Sequence, residues 1–140
     1  MSRFEWKPEY SVGDPVIDTQ HAELIAIINE LADQLQGAEG PAIAEARAVF
    51  DHLANYVTAH FAYEEDRIAA AGYPEERIVE HQAEHNSMLR KVQEFEQVFE
   101  NGDADALQRM MPFLYGEWLI HHICGTDKDY MPYLAGGARA

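Results

Sequence analysis

The chain has 140 residues, a single cysteine, ten basic and 25 acidic residues, and a formal charge of -15. That length suits one domain able to bury its own core. One cysteine excludes an intramolecular disulfide and agrees with a reducing compartment, and a strongly negative surface disfavours nucleic acid and anionic membrane as partners. No run approaches the roughly 18 apolar residues of a membrane span, and the first residues lack the apolar centre of a signal peptide, so the expectation is a cytoplasmic protein. The same charge argues for a monomer at low salt.

Residues 1–17 hold Pro8, Gly13 and Pro15 among Phe4, Trp6 and Tyr10, which reads as an extended arm whose aromatics pack against a body. A first helix is expected over about 19–36, with Asp18 as N-cap and Gly37 as stop, on the stripe His21, Leu24, Ile25, Ile28, Leu31 and Leu35. A second starts near Pro41 and runs to about residue 71 on Ile43, Ala46, Phe50, Leu53, Val57, His60, Glu64 and Ile68. Gly72-Tyr73-Pro74 interrupts it. A third spans about 75–100 on Ile78, His81, His85, Met88, Val92, Phe95 and Phe99, an unbroken heptad seam with histidine at two positions. After the turn Asn101-Gly102-Asp103, a fourth is expected over about 104–125 on Leu107, Met111, Leu114, Trp118 and His122. A short helical tail, Asp127 to Leu134, closes on Tyr130, Tyr133 and Leu134. Four helices joined by short turns predict an all-α, antiparallel up-down-up-down four-helix bundle, a single domain over 1–140.

The informative feature is polar residues on these apolar stripes: His21, His60, Glu64, His81, His85 and a histidine of the fourth helix. His60/Glu64 and His81/His85 are i, i+4 pairs, so each pair shares one helix face. A lone buried histidine is most simply a hydrogen-bonded core residue. Five histidines with a glutamate are another matter, since burying each one unpaired costs about 1–3 kcal/mol and the whole fold is only marginally stable. Metal ligation removes that cost. His52 falls on a neighbouring face and reads as exposed. On the fourth helix, periodicity from Trp118 does not choose between His121 and His122, and either Asp127 or Asp129 could add a second carboxylate if the helix loosens after His122.

Five imidazoles and two carboxylates exceed the four ligands of a tetrahedral zinc and suit two octahedral ions with a bridge and one open position. The Glu-x-x-His pairs of ferritin-like di-iron enzymes are absent. A nitrogen-rich set adds less negative charge to stabilise high-valent iron, so it inclines toward binding dioxygen over cleaving it.

Trp6 and Val12-Gly13, Asp18-Thr-Gln-His21, His60-Phe61-Ala-Tyr-Glu64-Glu65, Gly72-Tyr73-Pro74, His81-x3-His85 and Trp118-Leu119-x2-His122-Ile123-x3-Asp127-x2-Tyr130 together resemble the bacterial hemerythrins. The resemblance covers nearly the whole chain, in order. It implies two iron ions with an oxo or hydroxo bridge that bind dioxygen reversibly, for storage, scavenging or delivery to an acceptor oxidase of unknown identity. It assigns His81, His85 and His122 to one iron, His21 and His60 to the other, and Glu64 and Asp127 to both, choosing His122 over His121 and Asp127 over Asp129. The sequence departs from the bacterial members at His121 and near Cys124. Gly125 stands where animal carriers have a bulkier apolar residue, which implies a more open dioxygen pocket. Phe61 and Trp118 read as core packing and also as a dry wall beside the ligands. The competing readings are a di-iron enzyme acting on peroxide, nitric oxide or nitrite, and an oxygen or redox sensor working through a separate partner.

Overall fold

The computed structural model describes residues 4–36, 41–123 and 126–134; Gly37, Cys124 and Gly125 lie outside them. The described residues are helical with no strand, in a bundle of α1 (Pro15–Leu35), α2 (Pro41–Ala70), α3 (Glu75–Asn101) and a fourth, segmented limb. That limb comprises α4 (Ala104–Arg109), the single turn α5 (Met111–Phe113), a π-helix (Leu114–Ile123), a 3-10 segment (Thr126–Tyr130) and α6 (Met131–Leu134).

Neighbouring limbs run antiparallel. His21, early in α1, lies ring to ring at 4.8 Å from His60, late in α2. Phe50, early in α2, packs on Phe95 and Phe99, late in α3, at 6.4 and 5.0 Å. His85, early in α3, meets His122 near the end of the π-helix, and Gln108 of α4 donates to the carbonyl of Leu35 at the end of α1.

Two boundaries differ from the sequence expectation. α1 starts at Pro15, and its N-cap is Asp14, not Asp18. Pro15 occupies a first-turn position where its missing N–H costs nothing, and Asp14 Oδ1 accepts from Val16 N at 2.9 Å and Ile17 N at 3.2 Å. Asp18, one turn inside, turns back to accept from the Ser11 hydroxyl and from Val12 N. It therefore anchors the arm. The arm itself is not extended throughout, since Pro8–Tyr10 form a 3-10 turn. Its aromatics still pack on the body: Phe4 and Trp6 lie against the main core, and buried Asn29 holds Phe4 through Phe4 N at 3.2 Å and Phe4 O at 2.7 Å.

The second difference is the fourth helix, which is not one α-helix to residue 125. Pro112 cannot donate to the preceding turn, which ends α4 at Arg109. The chain then winds more widely from Leu114 to Ile123. By contrast α3 closes cleanly, because Gly102 adopts φ 69° and its N–H reaches the carbonyls of Val98 and Phe99.

Buried apolar side chains form two clusters. The larger includes Leu24, Leu31, Phe50, Leu53, Val57, Phe61, Met88, Phe95, Leu114 and Trp118. The smaller gathers Val12, Ile17, Ile68, Tyr73 and Tyr130. Along α1 the order is Ile17, His21, Leu24; along α2 it is Phe61, Glu64, Ile68; along α3 it is Ile78, His81, His85, Met88. A polar layer is thus sealed by apolar packing above and below.

Asp14 also ties α1 to α2, accepting from Arg67 Nε at 2.7 Å. Asp14→Ala removes cap and tie together and is expected to cost about 1–2 kcal/mol. Asp18→Ala should free the arm and leave α1 intact. Urea unfolding at constant metal loading, followed by far-ultraviolet circular dichroism, checks both; an Asp14→Ala protein as stable as the parent would contradict the capping role.

Candidate metal centre

His21, His60, Glu64, His81, His85, His122 and Asp127 meet in the polar layer, none more than 3% exposed. Their inward atoms fall into two groups, each with donor atoms within 4.8 Å of one another: Glu64, His81, His85, His122 and Asp127 in one, and His21, His60, Glu64 and Asp127 in the other.

The carboxylates belong to both groups through different oxygens. Glu64 Oε1 lies 3.0 Å from both His81 Nε2 and His85 Nε2, while Oε2 lies 3.4 Å from His21 Nε2 and 3.6 Å from His60 Nε2. Asp127 Oδ1 lies 3.0 Å from both His81 Nε2 and His122 Nε2, while Oδ2 lies 3.1 Å from His21 Nε2. Each carboxylate spans the gap between the groups.

Several of these atoms are close without being hydrogen-bonded. His21 Nε2, His60 Nε2 and both oxygens of Asp127 are buried with no hydrogen-bond partner. They lie 3.0–3.6 Å from neighbouring imidazole and carboxylate atoms without forming hydrogen bonds, which fits lone pairs converging on a shared point. His85 and His122 point their inner nitrogens at the same region. Their Nδ1 atoms are held by Glu65 at 2.7 Å and Glu84 at 2.6 Å, so each Nδ1 carries a proton and donates it to a carboxylate. Their Nε2 atoms then face each other at 3.2 Å. Two lone pairs at that distance repel, so the contact calls for a proton or a metal ion between the two nitrogens. The donor set therefore fits non-haem metal, and its imidazole and carboxylate chemistry suits iron.

Protons can perform part of that task. Burial alone would lower the histidine values, but the carboxylates of Asp127 and Glu64 outweigh it and raise His21 and His81 to about 9 and His122 to about 10. For His60 burial prevails over the Glu64 charge and lowers the value to about 4. Burial would raise Glu64 and Asp127, yet the surrounding imidazoles hold both below the usual carboxylate range. A metal must displace the protons, so its affinity rises with pH. Burial, with Asp127 and Glu64 nearby, pushes the Tyr130 phenol well up, so it remains a donor, and it donates to Glu64 Oε2 at 2.6 Å.

Of the alternatives open in the sequence, His121 and Asp129 are exposed, as is His52, which packs edge-on to Tyr56 at 6.2 Å. An α-helical period puts both i+3 and i+4 from Trp118 on one side, which left His121 and His122 open; the wider π-helical winding places His122 inward and His121 outward. Phe61 lies face to face on His85 at 3.7 Å and 7° between planes, with Trp118 at 6.2 Å behind it. Both are buried, so neither is a surface aromatic.

Sequence reasoning missed the outer partners: Gln20, Glu65 and Glu84, which grip His60, His85 and His122, and Tyr130 on Glu64. A signal existed, since Gln20 adjoins His21, Glu65 adjoins Glu64 and Glu84 adjoins His85. Polar residues flanking a buried donor are placed to reach the next helix. None of the described helices is long and apolar enough to cross a membrane.

Residues 12–134 match the family model described as the hemerythrin HHE cation binding domain. Bacteriohemerythrin of Pseudomonas aeruginosa is 35% identical over 133 residues, covering 94% of this chain and 81% of the relative. Bacteriohemerythrin of Clostridium acetobutylicum is 30% identical over 130 residues, 91% of this chain and 98% of the relative. That of Methylococcus capsulatus is 28% identical over 136 residues, 96% and 99% of the two chains. The family match spans every helix that contributes to the polar layer, and the chain belongs to the hemerythrin family.

Proposed function

We propose that the chain binds dioxygen reversibly at two iron ions joined by an oxo or hydroxo bridge, as a store, carrier or scavenger. The observation that carries this reading is the unequal division of donors, five around one point and four around the other, with Glu64 and Asp127 common to both. For octahedral ions sharing one bridge, the His81, His85 and His122 position is filled, whereas the His21 and His60 position keeps one site open. When bound, the iron pair supplies that open site and two electrons.

The protein's own residues set the conditions. Glu64 and Asp127 hold two cations at a fixed separation and neutralise part of their charge. Phe61 and Trp118, both buried, wall the site with apolar surface and limit the water that would carry a bound anion away. Tyr130 fixes Glu64 by donating to Oε2. The imidazole-rich donor set supports binding over oxygen cleavage, and relatives named bacteriohemerythrin agree with a carrier.

Iron-loaded, reduced protein exposed to air should develop a visible charge-transfer band that disappears on removing oxygen and returns over repeated cycles. Irreversible bleaching, or sustained turnover of peroxide or nitrite in place of stoichiometric binding, would reject the carrier reading. Stoichiometry offers a separate check. His60→Ala touches one donor group and should leave one iron per chain; Glu64→Ala touches both and should weaken retention of both. Equal iron contents in the two variants would contradict the shared role of Glu64.

A further inference from the structure

Three inward histidines are held from behind in a repeating way. A residue adjoining a donor on one limb grips a donor on the next: Gln20 Oε1 of α1 meets His60 Nδ1 at 2.6 Å, Glu65 of α2 meets His85 Nδ1 at 2.7 Å, and Glu84 of α3 meets His122 Nδ1 at 2.6 Å. The geometry repeats but the charge does not. His85 and His122, both in the five-donor group, are backed by carboxylates. In the four-donor group, His60 is backed by a neutral amide, and His21 Nδ1 is buried with no hydrogen-bond partner. All the outer negative charge seen on these rings thus serves one of the two positions.

A carboxylate accepting from an imidazole N–H makes the opposite nitrogen a stronger donor, and its own charge attracts the cation. Changing such a partner typically alters metal affinity by about 10–100-fold. We propose that these outer partners impose an order on the centre: the ion at His81, His85 and His122 binds first and is retained, and the ion at His21 and His60 binds second and exchanges. Gln20 is the determining residue. It orients His60 as Glu65 and Glu84 orient their histidines, but adds no charge. The position with the open site is therefore the more weakly held and the less electron-rich one. This order rests on the two-metal reading. Donor number acts in the same direction, so a test must change outer charge while leaving the donors untouched.

Cobalt(II) titrated into the metal-free protein, with visible absorption and native mass spectrometry counting ions per chain, provides that test. The parent protein should pass through a singly loaded form. Gln20→Glu keeps the shape and the hydrogen bond and alters only charge; it should tighten the second step about 10-fold or more and diminish the singly loaded form. Glu84→Gln should weaken the first step by about 10–100-fold. A purely orienting role would leave Gln20→Glu unchanged, which would overturn the proposal, as would equal weakening of both steps by Glu84→Gln. Saturation at one ion per chain would sink the two-metal reading and the order with it, an outcome distinct from two ions bound with no effect of charge.

Discussion

Two carboxylates, Glu64 and Asp127, are fully buried in the middle of an apolar bundle, and the rest of the structure answers to that fact. Moving a carboxylate out of water costs several kcal/mol even after relaxation. Compensation must therefore come from positive charge delivered inside the bundle. No described Lys or Arg does this; among the described residues the neighbours of the two carboxylates are imidazoles and the Tyr130 hydroxyl. Imidazole can meet the demand in two ways, by taking a proton or by donating a lone pair to a cation. The raised His122 value answers to the first, and the arrangement of unpartnered nitrogens and oxygens fits the second.

That constraint explains why the polar layer lies between two apolar clusters rather than at an end of the bundle. Low dielectric on both sides strengthens every interaction within the layer, and close packing fixes the donor positions before an ion arrives. The helices then do double duty. α1, α2 and α3 each carry a donor on the inward stripe and, one residue away, a side chain aimed at a donor of the next helix. Orientation of the site is consequently a property of the whole bundle.

The sequence made the central layer readable because burial and polarity conflict there. Heptad spacing through Ile78, His81, His85 and Met88 places imidazoles where leucines belong, and only a compensating ligand resolves the conflict. Three features escaped the same reasoning for physical reasons. His121 and His122 could not be separated by an α-helical period, because the backbone winds as a π-helix there and Pro112 interrupts the limb before it. Asp18 looked like an N-cap, yet Asp14 followed by Pro15 is the better start, and a carboxylate one turn further in was free to anchor the arm. Gln20, Glu65 and Glu84 are half-exposed polar residues, which a search for polarity on buried stripes passes over. Resemblance to a family supplied the choice of His122 and Asp127 that periodicity left open.

The fourth limb carries the least regular backbone and two of the most critical side chains. Asp127 and Tyr130 come from the 3-10 segment after the π-helix, and His122 from the π-helix itself. A straight α-helix would place residues five apart on well-separated faces, so bringing His122 and Asp127 to one point requires the chain to change its winding. Such winding forgoes part of the regular hydrogen-bond ladder, and the compensation is at the centre: His122 is gripped by Glu84, Tyr130 donates to Glu64, and Asp127 contacts histidines of α1 and α3. Without a cation, those contacts leave the Asp127 oxygens buried and unpartnered. A cation held by Asp127 and His122 would therefore tie docking of the last limb to metal binding.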